Sequence, residues 1–311
     1  MTRISTGFAT PSQTDNKAPA QMPKQSSVQT LKHSDGFERV NTAKVAQAAV
    51  QSEAMVPGSG RMPSLPESVH NRMVELTDPN TLKDMHDLRG RIRELDKIMS
   101  DYKDPRGLFT SLYRVITNGA VDSVEKGMYE DNKWASDLTH NFGRRYLANL
   151  HGDLTGGEVT GAWKTYYDQA RDPKVSRERV TGMGAIVHLV ADLPKAIQET
   201  GVPKERRDDF MYFGDVLLEV YPEMIESAKK GHGVDMHPLF DMFKIGDAVD
   251  AVAGQGTATR AAYQTIRNKT WYAARGLDDF RQPAAQAEID ISWRGFDKLL
   301  AGLDATGHFK D

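Results

Sequence analysis

The stretch GAIVHLVADLP, residues 184–194, is an apolar run that contains two polar side chains, His188 and Asp192. They stand four residues apart, so on a helix both side chains leave from the same face, one turn apart. One interpretation is a buried pair whose members satisfy each other. A second is a site, either half of a metal centre or a histidine general base oriented by a carboxylate. An exposed pair of no consequence is the third.

Outward from this stretch, apolar residues recur at intervals of three and four from residue 66 onward, and alternating strand patterns are scarce. This predicts an all-α fold, a single multi-helix bundle-like domain over residues 66–311. Pro194 lacks a backbone N–H and is expected to kink its helix just below Asp192. Helices are predicted at 64–76, 81–102, 107–129, 133–150, 157–171, from a Ser176 cap through the opening stretch, 204–230, 238–253, 256–280 and 284–303.

The composition excludes several classes of chemistry. The 311 residues are 39% hydrophobic and 27% charged, with a net charge of −3, which predicts no nucleic-acid partner. No run of about 18 apolar residues occurs, so no transmembrane segment is expected. The absence of cysteine excludes disulfides, thiolate nucleophiles and cysteine-based zinc sites.

Residues 1–65 have a different composition from the rest of the chain. They are rich in Ser, Thr, Gln and Pro, end in the Pro/Gly linker PGSGRMPSLP (57–66), and are predicted to be disordered. The apolar core of a Sec signal peptide is missing. Ile4 lies near the start, and no acidic residue precedes Asp15. In composition, the first fifty residues resemble the export signal of type III effectors of plant-associated bacteria; an ordinary flexible tail is the alternative.

Several motifs point to a known family. They are DPRGLFTSLYRVIT (104–117), MYEDNKWASDLTHNFGRRYLANL (128–150), AWKTYYDQAR (162–171), GAIVHLVADLP (184–194) and IRNKTWYAARGL (266–277). In this order they resemble an uncharacterised, largely bacterial family, domain of unknown function 5995, over roughly residues 100–280. The resemblance implies a helical fold and no particular activity. The motif H-I-x-x-DLP falls on His188, Asp192, Leu193 and Pro194, and the late R-x-x-x-W motif falls on Arg267 and Trp271. Where the family often has polar residues, this chain has Ile186, Val187 and Val190.

Further candidate site residues lie on other predicted helices. His140 and Asp137, three apart in WASDLTHNF, are the best additional partners for His188 and Asp192, and a divalent metal is the cofactor such ligands would suit. Tyr146, Arg267 and Trp271 are candidates for lining a pocket. The loop GHGVDMH offers a second set of ligands, although loops of this composition are usually only turns. No phosphate-binding loop, dinucleotide fingerprint, G-x-S-x-G or H-E-x-x-H motif is present.

Together these features predict a type III-like secreted effector, a virulence protein whose helical domain acts in a host cell through a His/Asp pocket. Its expected partners are a host protein or a small molecule, with a secretion chaperone on the N-terminal segment. One alternative is a non-catalytic helical protein that binds a host protein. The other is a cytoplasmic, metal-dependent, hydrolase-like enzyme with a flexible tail.

Overall fold

The computed structural model describes residues 55–62, 64–241 and 257–309. Two short strands, β1 (Val56–Pro57) and β2 (Glu158–Val159), pair antiparallel, with Val56 opposite Val159. The rest of the described chain is almost entirely helical, so the predicted all-α fold is confirmed. The helices are α1 (Glu67–Thr77), α2 (Met85–Asp101), α3 (Gly107–Glu125), α4 (Asn132–Thr155), α5 (Gly161–Arg171), α6 (Arg177–Ile186), α7 (Leu193–Thr200), α8 (Arg207–Glu219), α9 (Tyr221–His232), α10 (His237–Asp241), α11 (Thr257–Leu277) and α12 (Gln282–Ala305).

Helix α3 lies at the centre of the fold. It packs against α2, α4, α6, α8 and α9, and most of its side chains are buried. A helix that is apolar on more than one face must be enclosed by neighbours, and the α3 sequence GLFTSLYRVITNGAV has this character. On one flank of this core, α11 packs against α7, α8 and α12. The opening stretch of sequence therefore lies between the central helix and this flank.

Several helix starts follow the capping chemistry of the sequence. The Asp84 side chain accepts hydrogen bonds from the backbone N–H groups of His86 and Asp87 at the start of α2. The predicted Ser176 cap is confirmed, since its hydroxyl accepts from the N–H of Arg179. These side chains satisfy N–H groups that have no partner within the first turn of a helix.

The structure divides one predicted helix and moves the start of another. The helix expected at 204–230 is divided at Val220, because Pro222 cannot donate a backbone hydrogen bond and instead sits in the first turn of a new helix, α9. The helix expected at 157–171 begins only at Gly161, after β2, with the Thr160 side chain as its cap. Of the helix expected at 238–253, residues beyond 241 lie outside the described residues.

Part of the predicted linker is bound to the domain. Gly58 donates its N–H to the carbonyl of Gly157 at 2.6 Å, and Gly60 donates to the carbonyl of Asp153 at 2.7 Å. The N–H of Ser59, between them, donates to the Asp153 carboxylate at 3.2 Å. The folded domain therefore begins before residue 66, while residues 1–54 of the predicted disordered segment lie outside the described residues.

One stretch of the described chain, Arg177–Thr200, is long and apolar enough to cross a membrane by length and composition alone. Within its apolar window, 89% is buried inside the protein. Core helices pass the same test, so this is weak evidence for a membrane span.

Candidate functional site

The opening stretch forms a π-helical turn, Val187–Asp192, between α6 and α7. Leu193 donates its N–H to the carbonyl of His188, five residues back, which gives a wider turn than an α-helix. Pro194 follows directly and has no N–H, so an α-helical hydrogen bond would be missing there in any case. The disturbance that the sequence predicts near Pro194 thus takes the form of a π turn, a feature that often occurs at functional sites.

Asp192 is held by several groups at once. Its Oδ2 accepts hydrogen bonds from His188 Nδ1 at 2.9 Å and from Trp163 Nε1 at 2.8 Å. Arg145 Nε lies 3.6 Å from Oδ1, while the same guanidinium pairs with Glu199 at 2.5 Å. Burial acts to raise the pKa of Asp192, but the hydrogen bond from His188, the Arg145 charge and the Trp163 N–H together hold that pKa below its usual value. Asp192 is therefore ionised near neutral pH.

Aromatic rings enclose His188, which is 2% exposed. Phe142 stacks on the imidazole, with ring centroids 3.6 Å apart and planes 9° apart. Tyr113 meets it edge-on at 4.5 Å. Phe109, Tyr146 and Trp163 complete the enclosure, with centroids at 5.4, 5.9 and 6.0 Å. The rotation of the ring is thus fixed by packing as well as by Asp192.

Gly184 allows this enclosure to form. A Cβ atom at this position would lie 2.5 Å from the Cβ of Phe109 and 2.9 Å from the ring of Tyr166, closer than side chains tolerate. Glycine therefore lets α6 approach α3 closely enough for His188, one turn later, to lie among the rings of α3 and α4.

The protonation state of His188 follows from its partner. An ionised carboxylate can only accept a hydrogen bond, so Nδ1 carries the proton and Nε2 is unprotonated in the neutral ring. Burial lowers the pKa of His188, and the attraction of Asp192 offsets this only in part. The imidazole is neutral at neutral pH, and its Nε2 is a buried acceptor with no hydrogen-bond partner among the described residues.

A cavity of about 140 Å³, which we call the large cavity, lies beside His188. Its walls come from α3, α4, α6, α8, α9, α11 and α12 and are mostly apolar. His188, Tyr221 and Tyr263 are the lining residues whose side chains carry nitrogen or oxygen. Ile186 and Val190, which stand where the resembled family often has polar residues, are part of the apolar wall. An apolar cavity of roughly this size can hold a molecule such as benzene.

The other predicted site residues on α4 have different outcomes. Tyr146 lies against His188, and its hydroxyl shares a hydrogen bond with Thr110 at 2.6 Å. Burial raises the pKa of Tyr146, so it remains protonated. His140 and Asp137, however, have no hydrogen bond or ion pair with His188 or Asp192: Asp137 pairs with Lys133 at 2.6 Å on the surface, and His140 Nδ1 lies 3.4 Å from the side chain of Asn141. The expected four-residue set is not assembled.

Arg267 and Trp271 belong to a second buried cluster. The Trp271 ring stacks on Phe210 with centroids 5.4 Å apart, and the Arg267 guanidinium lies over the Phe210 ring, 3.9 Å from its centroid. Arg267 also lines a second, small cavity of about 20 Å³. Ile116, Phe142 and Leu217 line both cavities. Arg267 is therefore separated from the large cavity by one layer of side chains.

No group of three or more His, Asp or Glu side chains in the described part of the chain is arranged to hold a metal ion. In the loop that the sequence offered as a second ligand set, Asp235 and His237 pair with each other at 2.6 Å at the surface. His232 ends α9, where its carbonyl accepts a hydrogen bond from Arg177. Among these residues, the candidate chemistry is therefore that of the histidine–carboxylate pair itself.

Two features of the site were not predicted from the sequence: the stacking of Phe142, the aromatic ring nearest to the imidazole, and the position of Arg145 beside Asp192. Phe142 stands one helical turn before Tyr146, so the aromatic spacing on α4 is a signal that could have identified it. Arg145 also pairs with Glu199. Its second neighbour, Asp192, lies 47 residues away in sequence and has no sequence signal.

Fold and site together define an all-α protein with a buried histidine–aspartate pair beside an apolar cavity. The sequence matches the model of the family of unknown function DUF5995 over residues 85–300, more than half of the chain. The protein therefore belongs to this family, and the match includes His188, Asp192, Arg267 and Trp271. Comparison with the curated proteins and with the solved structures finds no significant match.

Proposed function

We propose that the helical domain binds an apolar small molecule in the large cavity, and that His188 Nε2 accepts a hydrogen bond from a hydroxyl group of this molecule. One observation carries the proposal: Nε2 is buried and has no partner in the part of the chain that the structure describes, while Nδ1 on the same ring is held by Asp192. An acceptor left unpaired in a protein interior costs about 1–3 kcal/mol, which a ligand that donates a hydrogen bond recovers.

Three aromatic probes test this proposal, namely phenol, methoxybenzene and toluene. They have similar size, but only phenol donates a hydrogen bond. Phenol is expected to bind about tenfold more tightly than methoxybenzene in isothermal titration calorimetry, since a hydrogen bond in a dry site is worth about 1 kcal/mol or more. His188→Leu should abolish the preference for phenol and leave the binding of toluene nearly unchanged.

Tyr167→Phe is the matched control. Tyr167 is fully buried, its hydroxyl has no partner within residues 55–62, 64–241 and 257–309, and it does not line the large cavity. This variant should keep the full preference for phenol. Equal affinity of the wild type for phenol and methoxybenzene, or no binding of any of the three probes, would overturn the proposal.

The same pair favours a second function, general-base catalysis. A neutral imidazole that is oriented by a carboxylate can take a proton from a hydroxyl group or a water molecule, and the carboxylate then stabilises the imidazolium. Hydrolysis of 4-nitrophenyl acetate is a simple probe. A rate above that of free imidazole, lost in His188→Leu and retained in Tyr167→Phe, would support an enzyme, whereas equal rates in all three proteins would leave only binding.

We further propose that the first fifty residues direct export through a type III apparatus, so that the helical domain acts in a host cell on a small molecule or a host protein. The support is compositional: abundant Ser, Thr, Gln and Asn, Ile4 near the start and no acidic residue before Asp15. A reporter fused to residues 1–50 should leave the cell only when the apparatus is intact. Export that persists without the apparatus would refute this function.

A further inference from the structure

Arg267 is a buried cation without a carboxylate partner. It is 3% exposed, and among the described residues no Asp or Glu forms a close ion pair with it, although the charge of Asp215 acts on it from farther away. The buried Arg106, by contrast, pairs with Asp104 at 2.5 Å and with Asp153 at 3.2 Å. Burying a charge without such a partner is costly, so charged side chains in protein interiors are normally paired. The isolation of Arg267 therefore requires a specific explanation.

The groups around Arg267 satisfy only part of its guanidinium. One terminal nitrogen donates to the carbonyl of Phe210, and the side chain also forms a hydrogen bond with Tyr263. The guanidinium lies over the Phe210 ring at 3.9 Å and the Tyr263 ring at 5.8 Å. Among the described residues, its Nε has no hydrogen-bond partner. A Cβ atom at Gly214 would lie 2.4 Å from this Nε, so glycine at that position makes room for the guanidinium.

The small cavity brings this guanidinium to a space that a ligand atom can occupy. Thr117 also lines the small cavity; its buried Oγ1 lies near the Tyr113 hydroxyl but forms no well-aligned hydrogen bond among the described residues. Two incompletely satisfied polar groups thus line one cavity, together with Tyr113, Thr139 and mainly apolar side chains. Ile116, Phe142 and Leu217 line both cavities, so the two spaces are separated only by these side chains.

We propose that the ligand of this site is an apolar carboxylic acid, whose body fills the large cavity and whose carboxylate binds Arg267 and Thr117. The proposal rests on the function proposed above and specifies the ligand class. A carboxylate fits the small cavity for two reasons. It supplies a negative charge next to the Arg267 guanidinium, and it accepts hydrogen bonds from Arg267 Nε and from the Thr117 hydroxyl. Charge-assisted hydrogen bonds in a dry site are among the strongest that proteins form.

Hexanoate and hexanamide form the test pair, since they have nearly the same shape and differ in charge. Hexanoate is expected to bind the wild type at least about tenfold more tightly than hexanamide near neutral pH, from the strength of hydrogen bonds to charged groups. Arg267→Met, which keeps the volume and removes the charge, should eliminate this difference. Arg294→Met removes an exposed charge that lies over Trp293 and should keep it.

The outcomes separate this inference from the function on which it rests. If phenol binds through His188 while hexanoate and hexanamide bind equally well, Arg267 holds only a buried water or serves packing, and the inference is overturned. If neither phenol nor hexanoate binds, the proposed function itself is overturned. Should Arg267→Met fail to fold, the preference of the wild type for hexanoate over hexanamide, measured by melting temperature and by calorimetry, decides the question alone.

Discussion

At the scale of single residues, His188 and Asp192 have unequal roles. Asp192 Oδ2 accepts two hydrogen bonds, one from His188 and one from Trp163, and Arg145 lies beside Oδ1. His188, in contrast, uses one nitrogen within the protein and leaves the other without a partner. Asp192 therefore acts mainly as a structural acceptor, while His188 presents the polar atom that a ligand can use.

This inequality predicts different losses of stability. Asp192→Leu leaves two buried donors, the N–H groups of His188 and Trp163, without an acceptor, at about 1–3 kcal/mol for each. His188→Leu leaves Asp192 with Trp163 and Arg145 and should cost only about 1 kcal/mol. Free energies of unfolding from urea titrations check the order. A larger loss for His188→Leu than for Asp192→Leu would contradict these roles.

The lowered pKa of His188 predicts a pH dependence of stability. Burial is its main cause, so the unfolded chain, with a value near 6.5, binds a proton that the folded protein does not. The contribution of His188 to the free energy of unfolding is therefore fully present above pH 6.5. It is lost as the pH drops below this value, by at most about 1.4 kcal/mol for each pH unit. The lowered pKa of Asp192 contributes a further loss only below about pH 3.8.

The change of the free energy of unfolding with pH must be compared between the wild type and His188→Leu, because burial also lowers the pKa of His70 and of His232. Urea titrations between pH 7 and pH 5 should show a shallower slope in the variant than in the wild type. The same slope in both proteins would mean that His188 takes up its proton in the folded state as easily as in the unfolded chain.

At the scale of elements, the π turn Val187–Asp192 sets the positions of the pair. The bond from Leu193 N–H to the His188 carbonyl widens this turn, and the missing N–H of Pro194 removes the competing α-helical bond to the carbonyl of Val190. Because side chains leave a wider turn at different angles, the geometry of His188 and Asp192 depends on a proline that contacts neither ring nitrogen.

Pro194→Ala tests this dependence. The new N–H at this position allows an α-helical turn, so the protein should fold while the hydrogen bond between His188 and Asp192 changes. The measurement is the pKa of His188 by NMR. Pro222→Ala, at the equivalent position in the first turn of α9, is the control and should leave this pKa unchanged. An unchanged titration of His188 in Pro194→Ala would show that the proline does not position the pair.

At the scale of the whole molecule, a buried carboxylate joins the start of the described chain to its core. Asp153 accepts from Arg106 at 3.2 Å, from the N–H of Ser59 at 3.2 Å and from Arg171. Ser59 follows β1, Arg106 directly precedes α3, and Arg171 is the last residue of α5. The Asp153 side chain therefore connects three separate parts of the fold. Residues 55–62 thus belong to the domain rather than to a linker.

Two truncated chains test this boundary. A chain that starts at Met62 loses the backbone hydrogen bonds of Gly58, Ser59 and Gly60, at about 1 kcal/mol each, relative to one that starts at Met55. Its free energy of unfolding should therefore be lower by about 2–3 kcal/mol. Ser59→Ala in the longer chain keeps the N–H and should have no effect. Equal stability of the two truncated chains would return the boundary to the position near residue 65 that composition predicts.

Much of the fold and one part of the site could be predicted because they depend on short spacings. Apolar residues three and four apart predicted the helices, and the Ser176 cap predicted the start of α6. The four-residue spacing of His188 and Asp192 predicted that both side chains lie on one face, where the structure shows their hydrogen bond. His140 and Asp137 met the same criterion of helical spacing and still do not approach the pair. Spacing identifies neighbours within one helix, but it does not fix which faces of two helices meet.

The sequence by itself determined the all-α class, the membership of the DUF5995 family and the local pair of His188 with Asp192. Only the tertiary structure decided which nitrogen of His188 lacks a partner, that an apolar cavity lies beside it, and that Arg267 is buried without a carboxylate. The physical reason is that burial and partnership are set by segments far apart in the chain. Trp163 stands 29 residues from the carboxylate that it binds, and Phe142 stands 46 residues from the imidazole on which it stacks.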